Sequence, residues 1–237
     1  ELPTTFLHQV PNDKPEVTLD NYYTNEPITI SLNLALSPSQ NAQRYFHRYQ
    51  KLKQAVKFLG DQIANTKQTI SYLESVEANL THADVVEIAD IREELIQTGF
   101  VKAKYRNNKK QKMLPPEKYQ AEDGTIILVG KNNLQNEQVS FKLSRKGDLW
   151  FHVKDIPGSH VLITGNANPS DETITFAGEL AAYFSKARYS NLVQVDMIDV
   201  KKLHKPTGTP PGFVTYTGQK TIRVTPDETI IKNAKIK

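Results

Sequence analysis

The feature that most constrains the fold of this chain is a run of apolar and aromatic positions that recurs every three and four residues. Only an α-helix places residues at these spacings on one face, and the run continues for about four heptads, as in coiled coils. We therefore predict a long coiled-coil helix, in which Gly60 is the weak point. The positions of this heptad seam are Tyr45, Tyr49, Leu52, Val56, Leu59, Ile63, Thr66, Ile70 and Leu73.

Capping patterns predict where this helix and a second one begin and end. A serine with a proline after it and a glutamine three residues on is typical of a helix start, and so is an aspartate with a glutamate three residues on. A glycine ends the second, shorter helix. The two helices predict an antiparallel helical hairpin with unequal arms over residues 37–101. The capping residues are Ser37, Pro38, Gln40, Asp84, Glu87 and Gly99.

Residues 1–36 are predicted to form the end of a helix and then a β-hairpin. The helical periodicity covers residues 6–10, and the two strand-like runs are Val17–Tyr22 and Ile28–Leu32. Two strands alone are marginally stable in water. We therefore expect this segment to be the tail of a domain.

The second half of the chain changes to short strand-like runs with turns between them. One helix is predicted among them, at Ala177–Tyr189. Strands outnumber helices and several are close enough for hairpins, so we predict an α+β fold with a mixed or antiparallel sheet and one packed helix. The predicted strands are Thr125–Val129, Val139–Leu143, Leu149–Val153, His160–Thr164, Leu192–Val200, Phe213–Thr217 and Thr221–Val224.

The net charge of +4 is distributed unevenly along the chain. Lys and Arg number 8 against 13 Asp and Glu in residues 1–101, 7 against 1 in residues 102–120, and 15 against 12 in residues 121–237, which gives −5, +6 and +3. Residues 102–120 are predicted to be a basic linker, either binding a polyanion or solvated. Its densest cations are Lys102, Lys104, Arg106, Lys109, Lys110 and Lys112, and a second group on the long helix is Arg44, Arg48, Lys51, Lys53 and Lys57.

Several classes of function are excluded or disfavoured by what the sequence lacks. Without cysteine, the chain has no disulfide, thiolate metal site or cysteine nucleophile. We find no phosphate-binding P-loop, dinucleotide-binding motif or catalytic carboxylate pair, and no apolar run near the roughly 18 residues of a membrane span. We therefore predict a binding protein that is not an enzyme and has no cofactor.

A loop rich in carboxamides follows the first predicted strand of the second half. Asparagine and glutamine present both donors and acceptors, so such a loop is suited to recognising base edges or backbone groups. The alternative is an Asx-rich turn. The predicted recognition residues are Lys131, Asn132, Asn133, Gln135 and Asn136.

The strand Leu149–Val153 and the run after it carry a second group of candidates. Trp150 and His152 alternate with apolar residues, so they share one face, where Trp150 either stacks on a base or fills a gap in the core. His160, preceded by Ser159, is expected to meet His152, but a third metal ligand is not evident, so no metal is predicted. A basic rim of Lys201, Lys202, Lys205 and Lys220 is predicted nearby to contact phosphate.

These residues resemble the NFACT family, also called the fibronectin-binding protein A family, over nearly the whole chain. The motifs similar to its RNA-binding-type module, NFACT-R, are Gly130-Lys131-Asn132-Asn133-Leu134-Gln135-Asn136, Asp148-Leu149-Trp150-Phe151-His152, Pro157-Gly158-Ser159-His160-Val161, Ala181-Ala182-Tyr183-Phe184-Ser185 and Lys205-Pro206-Thr207-Gly208. Asn41-Ala42-Gln43-Arg44-Tyr45-Phe46 and Ile91-Arg92-Glu93-Glu94-Leu95 resemble its coiled-coil middle.

The resemblance implies four segments: the end of the NFACT-N region at 1–36, the coiled coil at 37–101, the basic linker at 102–120 and the NFACT-R module at 121–237. It also implies a cytoplasmic factor of ribosome-associated quality control, whose partners are the large ribosomal subunit, tRNA and rRNA. Similarity to the streptococcal members implies the alternative of a cell-surface adhesin, without a signal peptide, that binds fibronectin and fibrinogen. Pro210 departs from the family, which commonly has a lysine there, so this loop loses a cation.

Overall fold

We describe the fold from a computed structural model, which covers residues 2–81, 83–102 and 113–236. The chain divides into two compact units, Glu1–Thr66 and Lys67–Lys237. The predicted linker cations Lys104, Arg106, Lys109, Lys110 and Lys112 lie outside the described residues, and the four predicted domain segments stay predictions. Within the covered ranges, no helix is both long enough and apolar enough to cross a membrane.

The first unit contains the predicted β-hairpin. After a short helix α1 (Leu2–Thr5) and a 3-10 turn (Leu7–Gln9), strands β1 (Glu16–Asn21) and β2 (Glu26–Ser31) pair antiparallel, with Glu16 opposite Ser31 and Asn21 opposite Glu26. Their inner residues pack with the N-terminus and with the first turns of the next helix. This small core consists of Leu2, Val17, Leu19 and Ile30, with Phe6, Leu32 and Tyr45 at its edge.

The long helix α2 (Pro38–Thr81) begins where the capping pattern predicts. The Gln40 backbone N–H donates to the Ser37 hydroxyl at 3.3 Å, and the Ser37 backbone N–H donates to the Gln40 side chain at 2.8 Å. Each residue therefore satisfies a backbone donor that the first helical turn would leave unpaired.

Most of the predicted heptad seam has no packing partner among the described residues. Most seam side chains are exposed, from 39% for Leu73 to 71% for Val56. The reason is that the second helix, α3 (Val85–Gln97), has only 13 residues and packs against the end of α2, where Tyr72 and Val76 lie beside the seam. The hairpin of unequal arms forms, but its contact does not use the seam.

Both ends of α3 follow their sequence signals. Asp84 accepts from the backbone of Glu87 while Glu87 accepts from the backbone of Asp84, which is a complete capping box. At the other end Gly99 has φ +83°, and the N–H of Phe100 donates to the carbonyl of Leu95 at 2.9 Å. This left-handed glycine closes the helix as predicted.

The second unit is built around an antiparallel sheet of seven strands, in the order β8-β7-β5-β6-β4-β3-β9. The α+β class, the antiparallel sheet and its packed helix are therefore confirmed. The strands are β3 (Glu117–Gln120), β4 (Ile126–Val129), β5 (Leu149–Val153), β6 (Val161–Thr164), β7 (Val193–Asp199), β8 (Lys220–Val224) and β9 (Lys235–Ile236), and the helices are α4 (Asn133–Glu137), α5 (Asp171–Tyr183) and α6 (Glu228–Ala234).

The sheet is covered on both faces, because each strand alternates between two clusters of buried residues. Phe151, Val161 and Ile163 face α5 in the larger cluster. Trp150 and Leu162 point to the opposite face, where they pack with Val139. Both faces of the central strands are therefore core, and little of the mixed face is left for a ligand.

Two strand predictions of the second half are wrong, and the predicted helix is displaced along the sequence. The predicted strand Val139–Leu143 is a π-helix, Gln138–Lys142, that continues from α4. The predicted helix Ala177–Tyr189 lies six residues earlier, because Ser170 caps it. The predicted strand Phe213–Thr217 contributes only the bridge between Thr215 and His204. Strand β3 (Glu117–Gln120), within the predicted linker, and helix α6 (Glu228–Ala234) have no counterpart in the prediction.

Candidate functional site

The carboxamide loop is a short helix whose polar side chains are turned inward. Asn132 caps α4 by accepting from the Gln135 backbone at 2.8 Å, and Gln135 in turn accepts from the Lys131 backbone at 2.9 Å. Gly130 allows the close approach, because a Cβ there would lie 2.3 Å from Oδ1 of Asn136. All five predicted recognition residues of this loop are buried.

Asn133 connects this loop to α3. Its backbone N–H and its Nδ2 donate to the two oxygens of Glu94, at 2.9 and 3.0 Å, and Tyr72 donates its hydroxyl to the same carboxylate at 2.7 Å. Glu94 is fully buried, and burial raises its pKa while these hydrogen bonds lower it. Three donors to one buried carboxylate fasten the end of the helical hairpin to the sheet.

Lys131 takes part in the same contact. Its Nζ lies 3.7 Å from Glu87 of α3 and 4.0 Å from the centre of the Phe184 ring. Burial lowers the pKa of Lys131, whereas the charges of Glu117 and Glu87 raise it. Since this ammonium group is held between a carboxylate and an aromatic face, polar recognition of a ligand by Lys131 stays a prediction that would require the contact to open.

Ser140 is the centre of a buried hydrogen-bond network on the same side of the sheet. Its hydroxyl donates to the Asn136 carbonyl at 2.9 Å and accepts from Trp150 Nε1 at 3.0 Å. The Nδ1 atom of His160 lies 2.7 Å away. Because the one hydroxyl proton is used at Asn136, Nδ1 is the donor, and Nε2 of His160 is left as an acceptor.

Trp150 fills the core, which is one of its two predicted roles. Its side chain is completely buried, and its ring stacks on His152 with 5.7 Å between centres. The two histidines meet as predicted, with 5.3 Å between ring centres. A base therefore finds no open face of Trp150, and stacking by this residue stays a prediction that would need the site to rearrange.

Both histidines of this pair are held neutral. Burial lowers the pKa of His152 to about 4, against the attraction of Asp196. Burial and the neighbouring His152 lower the pKa of His160 well below its usual value. No group of three or more metal-ligating side chains is found among the described residues.

A cavity of about 390 Å³ lies beside the two histidines. Asn133, Asn136 and Tyr216 line it, together with the prolines of residues 210–211. Its charged lining residues are Glu74 and Asp155, and none of the lysines and arginines that the structure describes lines it. A phosphate group is disfavoured there, because it would meet two carboxylates and two neutral imidazoles.

The predicted basic rim lies at the surface. Lys201 and Lys202 follow β7 directly, and Lys220 begins β8 opposite Met197, so they lie at one end of this strand pair. The Nζ of Lys202 comes within 3.5 Å of the position that a Cβ would take on Gly218, two residues before Lys220.

The rim lysines differ in their ion pairs. Lys201 lies 3.2 Å from Asp199, and Lys205 pairs with Glu137. The backbone N–H of Lys201, and then the charges of Lys201 and Lys202, lower the pKa of Asp199. For the described part of the chain, no salt bridge involves Lys202 or Lys220, so these two cations are available to an outside anion.

Comparison with known protein families decides where the chain belongs. A model of the NFACT N-terminal and middle domains matches residues 1–113, and a model of the NFACT protein RNA binding domain matches residues 117–220. The chain belongs to the NFACT family.

Curated NFACT relatives extend well beyond this chain. The Rqc2 homolog RqcH of Streptococcus pneumoniae serotype 2 is 67% identical over 99% of the chain, and that of Bacillus subtilis is 42% identical over 99%. The chain covers 43% and 42% of these two proteins. A solved structure, the C-terminal of the fibronectin/fibrinogen-binding protein from Streptococcus suis, is 66% identical with a TM-score of 0.81, over 85% of this chain and 81% of that one.

Sequence reasoning missed the residues that organise this NFACT site. Glu94, Ser140, Asp196 and Tyr216 were not candidates, although Glu94 and Ser140 each make three of the hydrogen bonds described above. Tyr216 donates to Asp196 at 3.2 Å, beside the histidine pair. No local signal marked Ser140, because it falls on the polar side of the apolar alternation in the predicted strand Val139–Leu143.

Proposed function

We propose that the second unit binds RNA without turnover, through phosphate contacts of Lys201, Lys202 and Lys220. The observation that carries the proposal is the pair Lys202 and Lys220, exposed at one strand end and free of salt bridges among the described residues. Lys205 sits nearby in a pair with Glu137, and it joins if that pair opens. Phosphate neutralisation by clustered lysines supplies most of the affinity in RNA binding that does not read sequence.

The family context supports RNA as the polyanion. All four rim lysines fall within residues 117–220, which match the RNA binding domain model of the family. The relatives from Streptococcus and Bacillus carry the name Rqc2 homolog, and a relative from Schizosaccharomyces pombe, 35% identical over 43% of this chain, is a ribosome quality control complex subunit. We infer that the chain serves in ribosome quality control, with rRNA or tRNA of the large subunit as its ligand.

A double variant tests the rim. Lys202→Gln with Lys220→Gln removes the two available cations, and we expect weaker binding of a tRNA transcript in fluorescence anisotropy. Each lost phosphate contact lowers the slope of log affinity against log salt concentration by about one. The factor by which the RNA affinity falls between 50 and 200 mM salt should therefore be about tenfold smaller in this variant than in the native chain.

The matched control is Lys118→Gln with Lys154→Gln. It removes the same charge from exposed positions on β3 and after β5. Lys154 lies beside Gln194 near the start of β7, whereas the rim lysines follow the other end of that strand. If the control weakens RNA binding as much as the rim variant does, net charge is responsible and the rim assignment is wrong.

Fibronectin binding is the second candidate function. It is favoured by the streptococcal neighbour of known structure, which is named for binding fibronectin and fibrinogen. Among the described strands, β8 (Lys220–Val224) ends the sheet with one unpaired edge, and such edges accept an added strand. Strand addition relies on backbone hydrogen bonds, so this binding should tolerate salt, whereas phosphate contact should not.

A further inference from the structure

A groove of about 670 Å³ is lined entirely by residues of the first unit. One wall is the chain after β2, and the other is the first turns of α2. Its charged lining residues are two arginines, Arg44 and Arg48, and no carboxylate of the described residues lines it. The full lining is Pro15, Ser31, Leu32, Asn33, Leu34, Arg44, Tyr45 and Arg48.

The two arginines lie one helical turn apart, so both side chains project from the same face of α2. Both are exposed, and within residues 2–81, 83–102 and 113–236 neither forms a salt bridge. Six acidic residues lie between residues 2 and 74, which the structure describes, and none of the six lines this groove. The guanidinium groups are therefore the dominant local charges.

Hydrogen bonds fix the two walls relative to each other. Tyr45, between the arginines, donates its hydroxyl to the Ser31 carbonyl at 2.7 Å. Asn41 accepts from the Asn33 backbone at 2.9 Å and donates to the Asn33 carbonyl at 3.0 Å. Because these bonds hold the groove in place, an anion would not have to order its walls on binding.

We propose that this groove binds a phosphate group of an RNA backbone between Arg44 and Arg48. A guanidinium group donates two parallel hydrogen bonds to phosphate oxygens, and two such groups on one turn match the tetrahedral oxygens of a single phosphate. The phosphate site stands on its own geometry, whereas RNA as the source of the phosphate rests on the proposed function.

The phosphate site is tested with inorganic phosphate on the whole chain. In ¹⁵N NMR spectra, we expect the Nε–H signals of Arg44 and Arg48 to shift together and saturate at one dissociation constant, while exposed Arg92 of α3 does not respond. Arg44→Gln should raise the phosphate dissociation constant read from the Arg48 signal by about tenfold or more, because a pair of charged hydrogen bonds is lost. Arg44→Lys should also weaken it, because a lysine keeps the charge but loses the paired donors.

Fluorescence anisotropy with the same tRNA transcript tests whether RNA is the source of the phosphate. Arg44→Gln with Arg48→Gln removes one phosphate contact, so the factor by which the RNA affinity falls between 50 and 200 mM salt should become about threefold smaller. Arg92→Gln with Lys118→Gln removes the same charge elsewhere and should leave RNA binding near that of the native chain.

The outcomes separate this inference from the proposed function. If phosphate shifts the Arg44 and Arg48 signals saturably but the Arg44→Gln with Arg48→Gln variant binds RNA like the native chain, then RNA is not the source of the phosphate. If phosphate does not shift the Arg44 and Arg48 signals, or shifts them without saturation, the groove is not a phosphate site. This holds even if the Lys202→Gln with Lys220→Gln variant loses RNA binding as expected. If neither pair of variants affects RNA binding, the proposed function fails, and the phosphate titration still decides whether the groove is an anion site.

Discussion

At the scale of single residues, Ser140 explains why Trp150 and His160 hold their positions. Its hydroxyl donates to the Asn136 carbonyl and accepts from Nε1 of Trp150 and Nδ1 of His160. All four residues are buried. Buried polar groups are costly when they lack a partner, so one hydroxyl stabilises three neighbours. The Nε2 acceptor of His160 beside the cavity depends on this arrangement, because Ser140 selects the tautomer.

We expect Ser140→Ala to lower the free energy of unfolding by about 2–4 kcal/mol, because it leaves the Trp150 and His160 donors buried without partners. Urea unfolding followed by the fluorescence of Trp150, the only tryptophan of the chain, measures this loss. Ser144→Ala is the control, since the half-buried Ser144 hydroxyl donates only to the Ser140 carbonyl and should cost about 1 kcal/mol or less. A Ser140 variant as stable as the control would contradict the network.

At the scale of elements, the contact of α3 with α4 assigns the carboxamides a structural role. The sequence predicted recognition of a ligand because a turn alone needs one asparagine. In the fold each asparagine has its own partner: Asn132 caps α4, Asn133 binds Glu94, and Asn136 accepts from the His160 backbone at 2.9 Å. The loop therefore connects three elements of the second unit.

Glu94→Gln should loosen this connection. An amide cannot accept from all three donors, and its own N–H₂ group must face one of them, which costs about 1–3 kcal/mol. We expect hydrogen exchange of the Asn133 amide to become about 10- to 100-fold faster. Glu93→Gln is the neighbouring control, because Glu93 accepts only from Gln97 in an exposed pair. If the Asn133 amide exchanges at the same rate in both variants, Glu94 does not hold this connection together.

Local signals predicted much of the fold, and distant partners account for the errors. The caps at Ser37, Asp84 and Gly99 were predictable because their hydrogen bonds close within five residues. The partner of Asn133 lies 39 residues away in sequence, so no local pattern contains it. The strand predicted at Val139–Leu143 followed an apolar alternation, but the cap at Asn132 had already started a helix.

The candidate site was predictable to the same extent. Rim lysines and the arginines of α2 could be found from charge alone, because exposed cations need no partner to be recognised. The cavity could not, since it is formed by residues from 71 to 216 that only the fold brings together. Its acidic lining disfavours a phosphate there, which leaves the rim as the predicted phosphate contact.

At the scale of the whole molecule, anion binding is proposed for cations that form no salt bridge with any residue in the described ranges. Lys202 and Lys220 belong to the second unit, and Arg44 and Arg48 belong to the first. Their ligand is predicted to be RNA, which makes binding strongly dependent on salt. Adhesion to fibronectin through a strand edge would depend on salt only weakly.

The most direct test of RNA binding is a salt titration of the whole chain against a tRNA transcript, with immobilised fibronectin measured in parallel. We predict saturable RNA binding whose affinity falls linearly with salt on logarithmic axes, with a slope between about −1.4 and −3.6 for two to four phosphate contacts at about 0.7–0.9 each. Saturable fibronectin binding that is unchanged by salt, with no RNA binding even at low salt, would contradict it.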